Sequence, residues 1–238
     1  MRLLQLAMVT SDLGSVVDGL CKRLDIEVAF RDPAVEMFGL QNAVLPVGDT
    51  FLEVLSPIRE GTTAGRYLKR RGGDGGYMVI LQVDTLEPQR ARLERVGVRI
   101  AWEGNIAAKA GDGSSWEGIH LHPADTRGAL LSLDRPDPPD SWLAAGPVWR
   151  DHVRTGVVTE LRCAELQSDE PERLGTRWSE ILGLPLTGAE IALARGRLRF
   201  VRAEDGRPEG LAAIELAAGE RSRVGEAFEL GGLRFRLV

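Results

Sequence analysis

The stretch GIHLHPADTRGALLSLD, residues 118–134, carries His120 and His122, two of the three histidines in the chain. In a strand, residues two apart point to one face, so both imidazoles share a side while Ile119 and Leu121 look the other way. Imidazole nitrogen suits zinc and similar divalent cations, and Glu53 or Asp125 would complete such a site if the strands converge. The competing reading is a strand that ends at His122-Pro123 with its imidazole in a local hydrogen bond. Glu53 lies in TFLEVL, where Leu52 and Val54 form an apolar face and the carboxylate points the other way. Enclosure there would strip its hydration, raise its pKa and make it a general base. A salt bridge with a neighbouring arginine is the alternative.

Arg66, Lys69, Arg70 and Arg71, in GRYLKRRGGDGG, offer cations to a phosphate or another anion; otherwise they form a solvated connector whose glycines allow tight turns. The spacing is not that of a nucleotide-binding loop, because no strand leads through the glycines into a helix. Trp102 and Trp116 suit either a pocket wall or the core.

Positioning these groups falls to an ordinary globular chain of 238 residues, 43% hydrophobic and 27% charged. A net charge of −5 and a pI near 5.4 supply no positive field for nucleic acid or an anionic membrane, and neither is expected as a partner. Cys21 and Cys163 stand far apart in apolar contexts and read as free buried thiols. The N-terminal MRLLQLAMVTSDL reads as a first strand rather than a signal peptide, and no apolar run reaches membrane-spanning length. A soluble, cytoplasmic protein is expected.

The chain repeats one grammar, an apolar strand followed by a polar break and a helix, from Leu3, from Tyr77 and from Val157. Ser, Thr or Asp stands at each helix start, with Pro88 and Pro171 placed for a first helical turn. Extended runs follow: EVAF, FGLQNAVLPVG and TFLEVLSP after the first helix, VRIAWEG, GIHLHP and ALLSLD after the second. Gly48-Asp49 reads as a hairpin turn. Residues 1–136 therefore hold two β-α-β-β-β units. Residues 137–155, rich in proline, form a linker that Trp142 and Trp149 could pack down, with His152 at its surface. Residues 156–238 hold a second pair of units with its latter half shortened.

Four pieces in order, LAMVTSDL, LPVGDTFLEVLSPI, YLKRRGGDGGYMVILQVD and LHPADTRGALLSLD, resemble the vicinal oxygen chelate superfamily. That group includes glyoxalase I, methylmalonyl-CoA epimerase, extradiol dioxygenases and bleomycin-resistance proteins. The resemblance covers residues 1–136 well and 157–238 in outline. It implies an α+β, glyoxalase-like fold in which paired βαβββ modules curl mixed sheets into a cup, with metal ligands at inward positions of each module's first and last strands. Strand alternation places Gln5, Glu53, Met78 and Ser132 there, with Leu4, Leu6 and Met8 on the opposite face of the first strand. Relatives that bind metal often carry histidine at the positions of Gln5 and Met78, and glutamate where Ser132 stands.

Such a set lacks the ligands for a metal of the family kind. VVTELRCAEL has no histidine for an iron site in the second half. The expected function is metal-free binding of a small organic molecule in the cup, contacted by Gln5, Glu53, Met78, His120, His122 and Ser132. The alternative is proton abstraction next to a carbonyl, as in a glyoxalase or epimerase acting for instance on a coenzyme A thioester. Glu53 would then be the base, with Gln5, His120 or His122 polarising the oxygen. A non-catalytic scaffold is the third reading, favoured if the cup is filled by its own side chains. Association of strand edges into a homodimer is compatible with all three.

Overall fold

A computed structural model describes residues 1–107 and 113–238, with the side chains of residues 106 and 107 also left out. The first sheet is built from β1 (Arg2–Val9), α1 (Leu13–Leu24), β2 (Leu40–Val47), β3 (Thr50–Pro57), α2 (Thr63–Arg71), β4 (Gly75–Gln82), α3 (Glu87–Arg95), β5 (Ile100–Ala107), β6 (Ser115–Leu121), α4 (Pro123–Thr126) and β7 (Leu130–Asp137). Its seven strands run in the order β2-β3-β1-β4-β7-β6-β5. First and last strands of each unit thus lie side by side at the centre, with β1–β3 and β4–β7 parallel and β1–β4 antiparallel.

After the linker come β8 (Val158–Ser168), α5 (Pro171–Leu182), β9 (Leu186–Thr187), β10 (Glu190–Ala192), β11 (Arg197–Arg202), β12 (Gly210–Ala218), β13 (Ala227–Leu230) and β14 (Leu233–Leu237). The second sheet, β13-β14-β12-β8-β11-β10-β9, repeats the arrangement. Between β12 and β13 a short 3-10 turn, Arg221–Arg223, stands where the other units have a helix. This is the shortened half.

Local chemistry accounts for most boundaries. Asp12 caps α1 by accepting the Ser15 N–H at 3.0 Å, and Pro171 opens α5. No side-chain cap forms on α3 or α5, contrary to the sequence expectation. The β2–β3 hairpin turns at Gly48, whose φ of +62° suits glycine and whose bare α-carbon lies against the backbone oxygen of Thr159 in β8. EVAF does not form a strand. Phe30 makes a single bridge to Val44 before Asp32 and Pro33 start a 3-10 turn, so the first unit contributes one strand fewer than expected.

One hydrophobic core joins the two sheets. Leu6, Met8, Leu52, Val79 and Leu131 of the first sheet pack in the same cluster as Leu161, Leu166, Ile214 and Phe235 of the second, together with helix residues Leu20 and Trp178. The opposite face of the first sheet carries a smaller, separate cluster. The alternation expected for β1 fails at one point. The register with β4 shifts between Leu3 and Gln5, so Leu3 joins the shared core and Leu4 turns to the other face beside Gln5. No helix among the described residues is long and apolar enough to cross a membrane.

Candidate functional site

The face of the first sheet opposite the shared core, the concave side of the expected cup, gathers Gln5 on β1, Glu53 on β3, Met78 on β4 and Ser132 on β7, while their chain neighbours Leu6, Leu52, Val79 and Leu131 enter the shared core. The strand register sets them in two rows. Glu53 pairs with Ala7, which pairs with Met78; Gln5 pairs with Ile80, which pairs with Ser132 and then His120.

Glu53 is the centre of a hydrogen-bond network. Gln5 Nε2 donates to its Oε2 at 2.8 Å and Asn42 Nδ2 to its Oε1 at 2.7 Å. The far ends of both amides are fixed: Gln5 Oε1 accepts the Trp142 indole N–H at 2.7 Å, and Asn42 Oδ1 accepts the Asp32 backbone N–H at 2.8 Å. Indole and peptide N–H groups can only donate, so both amides must turn their oxygens toward them and their NH2 groups toward Glu53. Glu53 as a residue is 8% exposed. Burial pushes its pKa up to about 7, aided by the nearby charge of Asp32, while the two amide donors pull the other way.

The linker is not a loose tether. Trp142 and Trp149, both buried, bring it down onto the concave face against Phe51, with Trp149 edge-on to that ring at 5.0 Å. Beside them a cavity of about 160 Å³ lies between Arg2, Phe51, Trp142 and Trp149. One side of the cup is thus filled by the protein itself.

The other side is paved with aromatic rings. Trp102 and Trp116 stack at 6.0 Å, and His120 lies 4.5 Å from Trp102, all three half-buried. The rings lie over glycines: a Cβ on Gly104 would stand 2.3 Å from Trp102, and one on Gly118 2.3 Å from Trp116 and 2.2 Å from Asp134. Among the described residues His120 makes no hydrogen bond, and the buried Trp116 indole N–H has none of good geometry. Loss of hydration lowers the His120 pKa to about 4, leaving a neutral imidazole at pH 7. Between pavement and linker the floor keeps slight exposure at Glu53, Met78 and Ile80.

Two residues of the site escaped sequence reasoning. Asn42 sits on β2, two positions before Val44, the residue paired with Glu53. Asp134 lies two positions beyond Ser132 on the same face, where alternation alone points to it. It is buried, accepts the Ser132 hydroxyl at 2.8 Å and has its pKa raised to about 7, chiefly by burial, against the pull of Ser132 and the Trp116 indole.

His122 is elsewhere. Its Nδ1 accepts the Ala124 N–H at 3.2 Å, capping α4 beside Arg99, which pairs with Asp125 at 2.7 Å. The structure therefore does not bring His120, His122 and Glu53 together, and the local hydrogen bond is the observed role of His122. His152 bonds Glu27 at 3.2 Å and is partly buried.

The residues at the four inward positions do not fit the metal centre that the resemblance implies. Both oxygens of Glu53 and the oxygen of Gln5 are engaged by N–H donors, Ser132 donates to Asp134, and Met78 packs in the apolar cluster. On the second sheet the ladder face that carries Cys163 and Glu165 is crossed by ion pairs. Arg199 holds Glu165 at 3.3 Å and Glu190 at 2.7 Å, Arg236 holds Glu165 at 2.9 Å, and Arg197 and Arg199 both hold Glu215. The thiol of Cys163 is pushed up to about 12 by burial.

No protein-family model matches the chain. An ethylmalonyl-CoA/methylmalonyl-CoA epimerase from Cereibacter sphaeroides is 24% identical over 134 residues, which make up 56% of this chain and 97% of that protein. The crystal structure of a hypothetical protein from Staphylococcus aureus superposes with a TM-score of 0.72 at 10% identity, covering 100% of this chain and 98% of the other. Its likeness extends the paired-module fold over the whole chain. A methylmalonyl-CoA epimerase from Mycobacterium tuberculosis, with a TM-score of 0.47 and 23% identity, matches 57% of this chain and 87% of its own.

Proposed function

We propose that the first sheet binds a small organic molecule without a metal, between the Trp102–Trp116 pavement and the floor around Glu53. The observation that carries this reading is a half-buried aromatic surface bearing the His120 imidazole, which makes no hydrogen bond among the described residues, beside a carboxylate oriented by two fixed amides. Aromatic walls with a few placed polar groups are the usual makeup of a ligand pocket. The His120 imidazole can donate from one nitrogen and accept at the other. Tryptophan fluorescence, titrated with a panel of acyl-coenzyme A thioesters and keto acids, is expected to report saturable quenching that Trp102→Leu and His120→Ala weaken. Metal analysis of protein purified without a chelator or an affinity tag provides the second test. A reproducible equivalent of zinc, nickel or iron defeats the metal-free reading.

Proton abstraction next to a carbonyl is the second reading, and the Glu53 pKa of about 7 favours it. The likeness to an epimerase named for coenzyme A thioesters supports the same chemistry. Glu53 would take the proton as carboxylate, and neutral His120 would donate to the developing oxyanion if substrate bridges them. The position of His122 at the rim removes it from this role. Solvent deuterium exchange into candidate thioesters is the assay. Exchange that persists unchanged in Glu53→Gln excludes Glu53 as the base.

A further inference from the structure

The basic run that ends α2 divides in the structure. Arg66, Lys69 and Arg70 are exposed, whereas Arg71, the last helical residue, is only 3% exposed and enters the seam between the two sheets. Its Nη1 donates to the Pro208 carbonyl. Its Nε and Nη2 are buried, and among the described residues they have no hydrogen-bond partner and the side chain makes no ion pair. These two nitrogens form one edge of the guanidinium, the fork that receives two oxygens of a carboxylate or phosphate side by side. A buried cation without a counter-charge is among the costliest arrangements a fold can retain.

A second arginine stands next to it. Arg207, in the 203–209 connection before β12, is anchored by Nη1 to the Gly232 carbonyl at 2.9 Å and by Nη2 to the Asp74 carbonyl. The point where a Cβ on Gly75 would lie is 3.0 Å from Arg71 Nε and 3.1 Å from Arg207 Nη2. On the other flank, a Cβ on Gly210 would fall 2.3 Å from Arg71 Nη1. Glycines therefore admit the guanidinium on both sides. Asp205, the acid whose field reaches Arg71, is already engaged: its Oδ1 accepts Gln167 Nε2 at 2.6 Å and the Arg207 backbone N–H at 3.0 Å.

We propose that Arg71 and Arg207 form a site for a small oxyanion, of the phosphate or carboxylate class, at the seam between the two sheets. The anion's paired oxygens meet the free Nε–Nη2 edge of Arg71, and Arg207 supplies the second positive charge. This site is separate from the concave face and does not depend on what that face binds.

Calorimetric titration and thermal unfolding of the full chain test it, with inorganic phosphate, sulfate and acetate added at ionic strength held constant by chloride. Phosphate or sulfate is expected to raise the unfolding midpoint saturably, above any effect of chloride. Acetate acting equally well identifies a carboxylate site, and acetate without effect identifies a tetrahedral oxyanion site. Arg207→Gln removes one charge-assisted contact and is expected to weaken binding by roughly tenfold to a hundredfold. Arg71→Met is expected to abolish it. Should Arg71→Met fail to fold, Gly75→Ala takes its place: a methyl between the two guanidinium groups is expected to abolish binding as well. The proposal is overturned if no anion acts beyond chloride, or if binding survives in the Arg71 and Arg207 variants. It is also overturned if a crystal structure seats the Asp205 carboxylate on Arg71 Nε and Nη2.

Discussion

Trp142→Phe tests whether the linker sets the state of Glu53. The substitution keeps an aromatic ring over the sheet but deletes the indole N–H that holds Gln5 Oε1 at 2.7 Å. Gln5 is buried, and an unsatisfied buried acceptor costs about 1–3 kcal/mol. For a chain of this length that is a fall of roughly 2–4 °C in Tm for each kcal/mol. The more specific consequence concerns charge. Without the indole nothing fixes the Gln5 amide, and its NH2 no longer has to face Glu53. Losing one hydrogen bond to a charged group, about 1.5–3 kcal/mol, raises the Glu53 pKa by about 1–2 units.

The sign follows from linkage. The carboxyl titrates near 4.5 when unfolded and near 7 when folded, so the native state holds the extra proton between these values. Its contribution to stability is full below pH 4.5 and is lost as pH rises through 7, a difference of about 3 kcal/mol. In Trp142→Phe the decline should extend about one pH unit or more higher. Urea unfolding from pH 4 to 9 reads the curve, and carbon-13 NMR of the Glu53 carboxyl reads the pKa. Superimposable stability curves for the two proteins, or equal costs of Trp142→Phe in wild-type and Glu53→Leu backgrounds, would refute the coupling.

Asp134 gives the same sign with a different dependence. Asp134→Asn should flatten part of the stability loss between pH 4 and 7, since its pKa is raised from 3.8 to about 7, and urea unfolding at the two pH values measures this. Gly118→Ala places a methyl 2.2 Å from Asp134 and 2.3 Å from the Trp116 ring, an overpacking expected to cost about 1–3 kcal/mol and to shift the tryptophan emission. Trp149→Ala empties the space against Phe51 and should cost about 3–5 kcal/mol in chemical unfolding. A cost below about 1 kcal/mol would mean that the linker does not hold the concave face in solution.

The features legible in the sequence are those set by local period. TFLEVL and ALLSLD alternate strictly and YMVILQV does so from Met78 onward, so Glu53, Met78 and Ser132 fall on the face the sequence predicts, and Gly48 turns the hairpin where expected. Tyr77 departs, because a second register shift between β1 and β4 skips it and it packs beside Met78 in the smaller cluster. Leu4 escapes because a bulge inserts one residue into β1, and nothing in LLQLAMV distinguishes that residue from its neighbours. Asp134 escapes for another reason: it ends the extended run ALLSLD, where alternation puts it on the Ser132 face, but the prolines and aspartates behind it hide that the strand runs on to Asp137. Asn42 and Trp142 matter only through contacts with Glu53 and Gln5, and a contact across 137 residues has no local signature.

The two sheets show what one topology can do with its concave-side positions. On the second, Glu165 and Glu215 are buried with Arg197, Arg199 and Arg236 over them, and each acid has found its cation. On the first, Glu53 and Asp134 are buried with neutral donors alone, and both pKa values rise to about 7. A carboxylate paired with arginine stays ionised and is poor at exchanging protons near neutrality, whereas one held by amides or a hydroxyl exchanges them readily. If the concave-side acids served only to hold strands together, arginines would have answered both sheets. That they answer one and not the other leaves the first sheet with the two acids able to exchange protons near neutrality, and exchanging Asn42 for arginine should lock Glu53 as its ion-pair partner and lower its pKa. A Glu53 carboxyl in Asn42→Arg that still titrates near 7 by carbon-13 NMR would show that burial, rather than the choice of partner, governs this site.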